Sequence, residues 1–188
     1  MQNYWFTADT HFGHANIIQY ARRPFATVGE MDAALITNWN ARVGETDLVF
    51  HLGDFAFRGG RERVLELTQQ LHGHIHLIRG NHDHDAERGK QGFGWIKDLY
   101  MLKVPDADAP DGVQRIMLSH CAFRVWFHSH HGAWNLYGHS HDSLPDDPHA
   151  LAFDVGVDAQ NYAPISYAEV KARMATKQFV PVDHHDDE

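Results

Sequence analysis

One cysteine, Cys121, stands in a chain of 188 residues. A single thiol excludes a disulfide framework and fits a reducing compartment. It has no paired base nearby in sequence and is expected as a buried neutral thiol. Long apolar runs are also missing. None approaches the roughly 20 residues that cross a bilayer, and Met1-Gln2-Asn3-Tyr4 carries no leader pattern. Basic residues are scarce, 16 against 25 acidic ones, for a formal charge of −9. An extended nucleic-acid groove needs clustered Lys and Arg to displace counterions, so none is expected. A small phosphorylated substrate at a locally positive site remains compatible with that charge. No internal repeat and no linker interrupts the chain. The expectation is one cytoplasmic domain over residues 1–182, with no membrane segment, and a frayed acidic and histidine-bearing tail at 183–188. Composition says nothing of the oligomeric state.

What the chain has in plenty is histidine, 17 in all, on a background with 12% aromatics that suits a packed core. Apolar periodicity alternates between the two regular patterns. Tyr4-Trp5-Phe6-Thr7-Ala8 reads as a buried strand. A helix is expected around 15–21, broken by Arg22-Arg23-Pro24. Thr27 and Glu30 form a capping-box pattern. Met31, Leu35, Trp39 and Val43 then make a buried helical stripe, with Gly44 as its stop. A strand over 47–52, a helix over 61–71 and a strand over 74–78 follow, then a Gly-rich, charged stretch to Gly94 expected as surface loop. Strands are expected over 99–104, 114–118, 135–137 and 151–157. Ser166 and Glu169 cap a last helix, with Ile165 and Val170 as its hydrophobic staple. Strand alternating with helix, with polar residues after each strand, is the pattern of an α/β fold whose site lies at the C-terminal strand ends.

The polar groups at those ends are Asp9 and His11, Asp54, Asn81 and His82, His120, and His139 with His141. One such histidine would be an ordinary structural residue. Five clusters, each after an apolar run and most beside a glycine, point to a metal site. In this pattern the sequence resembles the calcineurin-like metallophosphoesterase superfamily: Asp9-Thr10-His11, Gly53-Asp54, Gly80-Asn81-His82-Asp83, His120 and Gly138-His139-Ser140-His141 match its motifs in order. Trp5-Phe6-Thr7, Phe12-Gly13-His14, Arg79 and Asp154-Val155-Gly156-Val157-Asp158 resemble its small bacterial and phage members.

The resemblance implies a four-layer α/β/β/α sandwich around two divalent transition metals. Asp9, His11 and His141 would hold one ion, Asn81, His120 and His139 the other, and Asp54 would bridge them. Dications roughly 3.5–4 Å apart need a shared anion. Two carboxylates and one hydroxide leave the centre near about +1, which attracts a phosphate oxygen. The mixed N/O donors suit Mn first, with Fe, Zn, Ni or Co as alternatives. His82 is expected as general acid or phosphate donor, with Asp83 orienting it. His14, Arg22, Arg23 and Arg79 are phosphate-contact candidates, each with an ion-pair or surface role as the alternative. Phe55, Phe57, Phe93, Trp95, Trp126 and Phe127 could stack a base or fill the core. His128, His130 and His131 could line the cleft or face solvent. The expected function is hydrolysis of a small phosphomonoester or phosphodiester, nucleotides and cyclic nucleotides included, by a dinuclear centre. The alternative is a non-catalytic scaffold with the same fold.

Overall fold

A computed structural model describes residues 3–182; the tail at 183–188, with His184 and His185, lies outside the described residues. In chain order the first half runs β1 (Tyr4–Thr7), α1 (Ile17–Tyr20), α2 (Val28–Asn40), β2 (Leu48–His51), α3 (Gly60–Gln70), β3 (His74–Ile78), α4 (His84–Arg88) and β4 (Ile96–Lys97). The second half adds β5 (Tyr100–Pro105), β6 (Val113–Leu118), β7 (Trp134–Tyr137), β8 (Ala152–Asp154), β9 (Ile165–Ser166) and α5 (Tyr167–Met174).

Local chemistry accounts for most boundaries. α1 is a single turn, shorter than the expected helix, because Arg22 turns left-handed at φ 54° and ends it. Thr27 caps α2 by accepting the Glu30 N–H at 3.2 Å. The return arm of that box reaches the Ala26 N–H at 2.8 Å rather than that of Thr27. Met31, Leu35, Trp39 and Val43 are all buried, as their spacing predicts. α2 stops at Asn40, before Gly44, whose N–H instead donates to Asp47 Oδ2 at 2.9 Å and turns the chain into β2. The stretch after Asp83 is not the expected surface loop. It forms α4 and buries Ala86 and Phe93 against the α3 side of the core, two apolar residues too widely spaced to register as a pattern.

Two sheets result, ordered β4-β3-β2-β1-β9 and β5-β6-β7-β8. β1 to β4 are mutually parallel and β9 joins antiparallel; β6, β7 and β8 are parallel and β5 antiparallel. Side chains alternate across each strand. Val49, Ile75 and Leu77 pack under α2 and α3. Phe6, Phe50 and Ile78 face the other way, onto Leu102, Ile116, Leu118, Leu136 and Phe153 of the second sheet. Val170 and Met174 of α5 join this inter-sheet core. The layer over the outer face of the second sheet is irregular, with Trp126 and Ala133 from the 122–133 segment on Tyr137 and Ala152. The fold is thus mixed α/β, two sheets face to face with α2 and α3 outside the first and an irregular layer outside the second.

This stacking sets the C-terminal ends of β1, β2 and β3 against those of β6, β7 and β8. Ala8 bridges to Gly156, and the Val157 N–H donates to the Ala8 carbonyl at 3.0 Å, joining the sheets where the motif loops emerge.

At α5 both arms of the Ser166–Glu169 box form, and Glu169 also accepts from Arg42 at 2.6 Å. Partial burial pushes the Glu169 carboxyl up, but Arg42 and Ser166 outweigh it and hold it down to about 2. A depressed folded-state pKa means stability that is complete above the unfolded value of about 4.3 and lost as pH falls toward 2. Ser166→Ala is expected to cost about 1 kcal/mol in urea unfolding at neutral pH. Glu169→Gln is expected to flatten the loss of stability between about pH 4.3 and 2; an unchanged acid limb would show that this contact carries none of it.

Candidate metal centre

Three backbone features bring the motif side chains together. Asp9, His11, Asp54, His139 and His141 all take left-handed φ, between 48° and 71°. Non-glycine residues seldom adopt this region, and it persists where surrounding structure enforces it. Gly80 packs so tightly on the 54 loop that a Cβ there would lie 2.3 Å from Asp54 Oδ1. A Cβ at Gly138 would lie 2.7 Å from Asp9 Oδ2. No side chain fits either place, so the motif glycines follow from contact between loops.

Two donor clusters form: Asp9, His11 and His141, and Asp54, His120 and His139, each with ligand-type atoms within 4.8 Å of one another. Asn81 Oδ1 joins the second, 2.9 Å from His120 Nε2 and 3.0 Å from His139 Nδ1. Asp54 Oδ2 faces both, 3.4 Å from His11 Nε2 and 3.5 Å from His120 Nε2. Its other oxygen accepts the His82 N–H at 2.8 Å.

Burial and one close charge pair set the electrostatics of the centre. Burial pushes the Asp9 carboxyl up to about 8 and the His11 imidazole down to about 2. Burial works against ionisation of His120 and Asp54 too. Their mutual attraction wins, however, raising His120 to about 9 and holding Asp54 below the usual carboxylate range. Asp9 Oδ1 and His11 Nε2 are buried without a hydrogen-bond partner. Unpaired buried polar atoms are costly, and both residues belong to the first candidate donor cluster.

The calcineurin-like phosphoesterase family profile matches residues 3–160. The chain belongs to this family. An uncharacterized protein of Methanocaldococcus jannaschii is 33% identical over 176 residues, covering 88% of each chain. The Gene 66 protein of Mycobacterium phage L5 is 30% identical over 85% of this chain and 88% of its own. A protein of unknown function from Aquifex aeolicus shares the fold with a TM-score of 0.69 at 23% identity, over 92% of this chain and all of its own. Among the described residues of this phosphoesterase-family chain, no helix is long and apolar enough to cross a membrane.

The site differs from the sequence expectation at several residues. Asp83 does not orient His82. It is buried, and its carboxylate accepts the N–H groups of Gly80 at 2.7 Å, Asp54 at 2.9 Å and Phe55 at 2.8 Å. It is a clamp tying the 54 and 80 loops together. Arg79 turns away onto Glu87 and Asp98 at the surface, because a side chain one residue before the glycine turn still follows the alternation of β3. Arg23, in contrast, is buried, donating to the Asp9 carbonyl at 2.6 Å and to both oxygens of Asp158 at 2.8 Å. Its role is the ion pair. Cys121 is exposed, not buried, since it follows His120 out of the sheet.

His14 lies beside His11 at 3.4 Å and stacks on Phe57 with ring centres 3.9 Å apart. Of the six aromatics considered, Phe57 alone contacts His82, at 5.6 Å. Phe55 and Phe93 are core, Trp95 packs on Phe50 and His76, and Trp126 fills the outer face of the second sheet. Phe127 is exposed beside His128. His128 and His131 line a separate cavity with Arg115. Sequence reasoning missed Asp158 as a partner of the centre: its Oδ2 meets His141 Nδ1 at 2.7 Å while the same carboxylate holds Arg23. The sequence signal for it is the acidic pair Asp154 and Asp158 flanking Val155-Gly156-Val157.

Asp83→Asn turns one acceptor into a donor facing a backbone N–H, an expected loss of about 1–3 kcal/mol. Because Asp54 moves with its loop, divalent-metal affinity measured by calorimetry is expected to fall as well. Full metal affinity with only a slower rate would favour the discarded role beside His82.

Proposed function

We propose that this chain is a dinuclear metal-dependent phosphoesterase acting on a small phosphorylated substrate. One observation carries the reading: a single carboxylate oxygen, Asp54 Oδ2, faces both donor clusters at 3.4 and 3.5 Å. In this reading Asp9, His11 and His141 hold one ion, Asn81, His120 and His139 the second, and Asp54 is shared. The orphaned Asp9 Oδ1 and His11 Nε2 fit a cation, and the N/O donor set suits Mn first, then Fe, Zn, Ni or Co. Bound there, two such ions supply Lewis acidity toward phosphate oxygens and a water acidic enough to attack near neutral pH.

The chain's own residues do the rest. Asp54 fixes the start of the 82 loop through the His82 N–H. The His82 ring, 5.4 Å from that of His11 and not a member of either cluster, is the free imidazole able to donate a proton to the leaving oxygen. Asp158 holds His141 through Nδ1, which leaves Nε2 for a ligand role. Arg22 stays a substrate-contact candidate and His14 packs behind His11. We place the protein in the cytoplasm on its single thiol. Every motif side chain is present in the two clusters and their flank, which leaves no observation favouring a non-catalytic scaffold.

Protein reconstituted with Mn is expected to hydrolyse para-nitrophenyl phosphate or its bis ester and to lose that activity on chelation. Failure with Mn, Ni and Zn alike on both esters would overturn the enzymatic reading. His82→Ala is expected to keep its metal content by elemental analysis while the rate falls about 10²–10⁴-fold. Loss of metal in that variant would make His82 a ligand.

A further inference from the structure

Beside His139 and His141 the surface opens into a cavity of about 460 Å³ whose far wall carries Tyr20 and Arg22. Ser140 and Ser143 complete its polar lining, and among the described residues no Asp or Glu lines it. That is notable in a chain of net charge −9, and Arg22 adds a positive charge there.

The arginine is both presented and uncommitted. Arg23, the next residue, is locked in the interior by Asp158 and the Asp9 carbonyl. The Arg22 and Arg23 N–H groups close back onto the carbonyls of Gln19 and Ile18 at 3.3 and 2.8 Å. Arg22 itself sits at φ 54°, a conformation its own side chain disfavours and its neighbours impose. Arg22 is exposed and, among the described residues, has no ion pair. Arg42, Arg63, Arg79, Arg88 and Arg173 are all engaged with carboxylates. Tyr20, on the same cavity, is the most exposed large hydrophobic side chain among the described residues, at 72%. Its ring meets that of His14 edge-on at 6.4 Å, which ties it to the centre.

A free planar cation and an exposed aromatic face, one cavity away from two candidate ligands, match a substrate with a flat ring and a second anionic group. Resting on the phosphoesterase reading, we propose that Tyr20 and Arg22 form a subsite for a nucleotide bearing a phosphate in addition to the one hydrolysed. Arg22 pairs with the second phosphate, a fork geometry that a guanidinium satisfies with two N–H donors. Tyr20 offers its face to the base. Binding energy from this remote group then orients the scissile ester over the centre.

The test is equilibrium binding by calorimetry to the Mn-loaded full chain, with thymidine 3′,5′-bisphosphate, thymidine 5′-phosphate and inorganic phosphate as probes. The bisphosphate is expected to bind about tenfold tighter than the monophosphate, the worth of one charge-assisted contact. Arg22→Gln is expected to abolish that margin. Tyr20→Ala is expected to weaken both nucleotides and leave inorganic phosphate unaffected. A margin that survives Arg22→Gln, or a bisphosphate bound no better than inorganic phosphate, overturns the subsite. Turnover of para-nitrophenyl esters, measured alongside, reports on the phosphoesterase reading separately. A margin that depends on Arg22 without turnover would support the anion subsite while removing the reaction.

Discussion

The Asp54 carboxylate is the contact on which the site depends. One oxygen faces His11 and His120, from loops of different sheets, and the other accepts the His82 N–H. Such an arrangement needs Asp54 in a single position, and that position is over-determined. Its backbone is left-handed, its N–H is taken by Asp83, and Gly80 presses against it with no room for a side chain. Strain of this kind costs of order 1–3 kcal/mol per residue and is held only where the surroundings leave no alternative. Here the surroundings are two packed sheets whose parallel strands end at one line.

The same economy runs through the partner groups. Arg23 looks like a phosphate-binding residue but is buried, and its Nη2 donates both to the Asp9 carbonyl and to Asp158. It steadies the Asp9 carbonyl and it fixes Asp158, which in turn engages His141. A buried guanidinium without such partners would be prohibitively costly, so its position and theirs are coupled. Arg22, one residue earlier, is left outside this network and lines the cavity beside His139 and His141. In a chain of net charge −9 the cavity lined by Arg22 has no Asp or Glu among its described lining residues, so the local charge there differs in sign from the whole.

Much of the fold was legible in the order of residues. β3 emerged over the expected residues, and the Met31-Leu35-Trp39-Val43 stripe is buried as spaced, because a period of four and a short apolar run report directly on local geometry. The α5 cap was legible for the same reason. α4 and the short β4 and β9 were not: two-residue strands and a five-residue helix owe their existence to neighbours, and carry too few residues for a pattern. The capping arm that shifted from Thr27 to Ala26 shows the limit of a motif whose side chain has a choice of nearby N–H groups.

The chemistry of the centre was determined by sequence alone as far as composition of the donor set goes. Asp, His and Asn at these spacings match the family's motifs, and the fold brings Asp9, His11 and His141 together in one group and Asp54, His120 and His139 in another. Which of the flanking polar residues touch the centre was decided only by tertiary structure. Asp83 and Arg79 lie within four residues of Asn81 in sequence, yet one clamps backbone and the other leaves for the surface. Asp158 is 17 residues from His141 and bonds to it. Direction along a strand, and the handedness of each left-handed turn after it, send neighbouring side chains to different places. All five left-handed turns fall on Asp or His, which enter that region more readily than most residues, and packing between the loops holds them there.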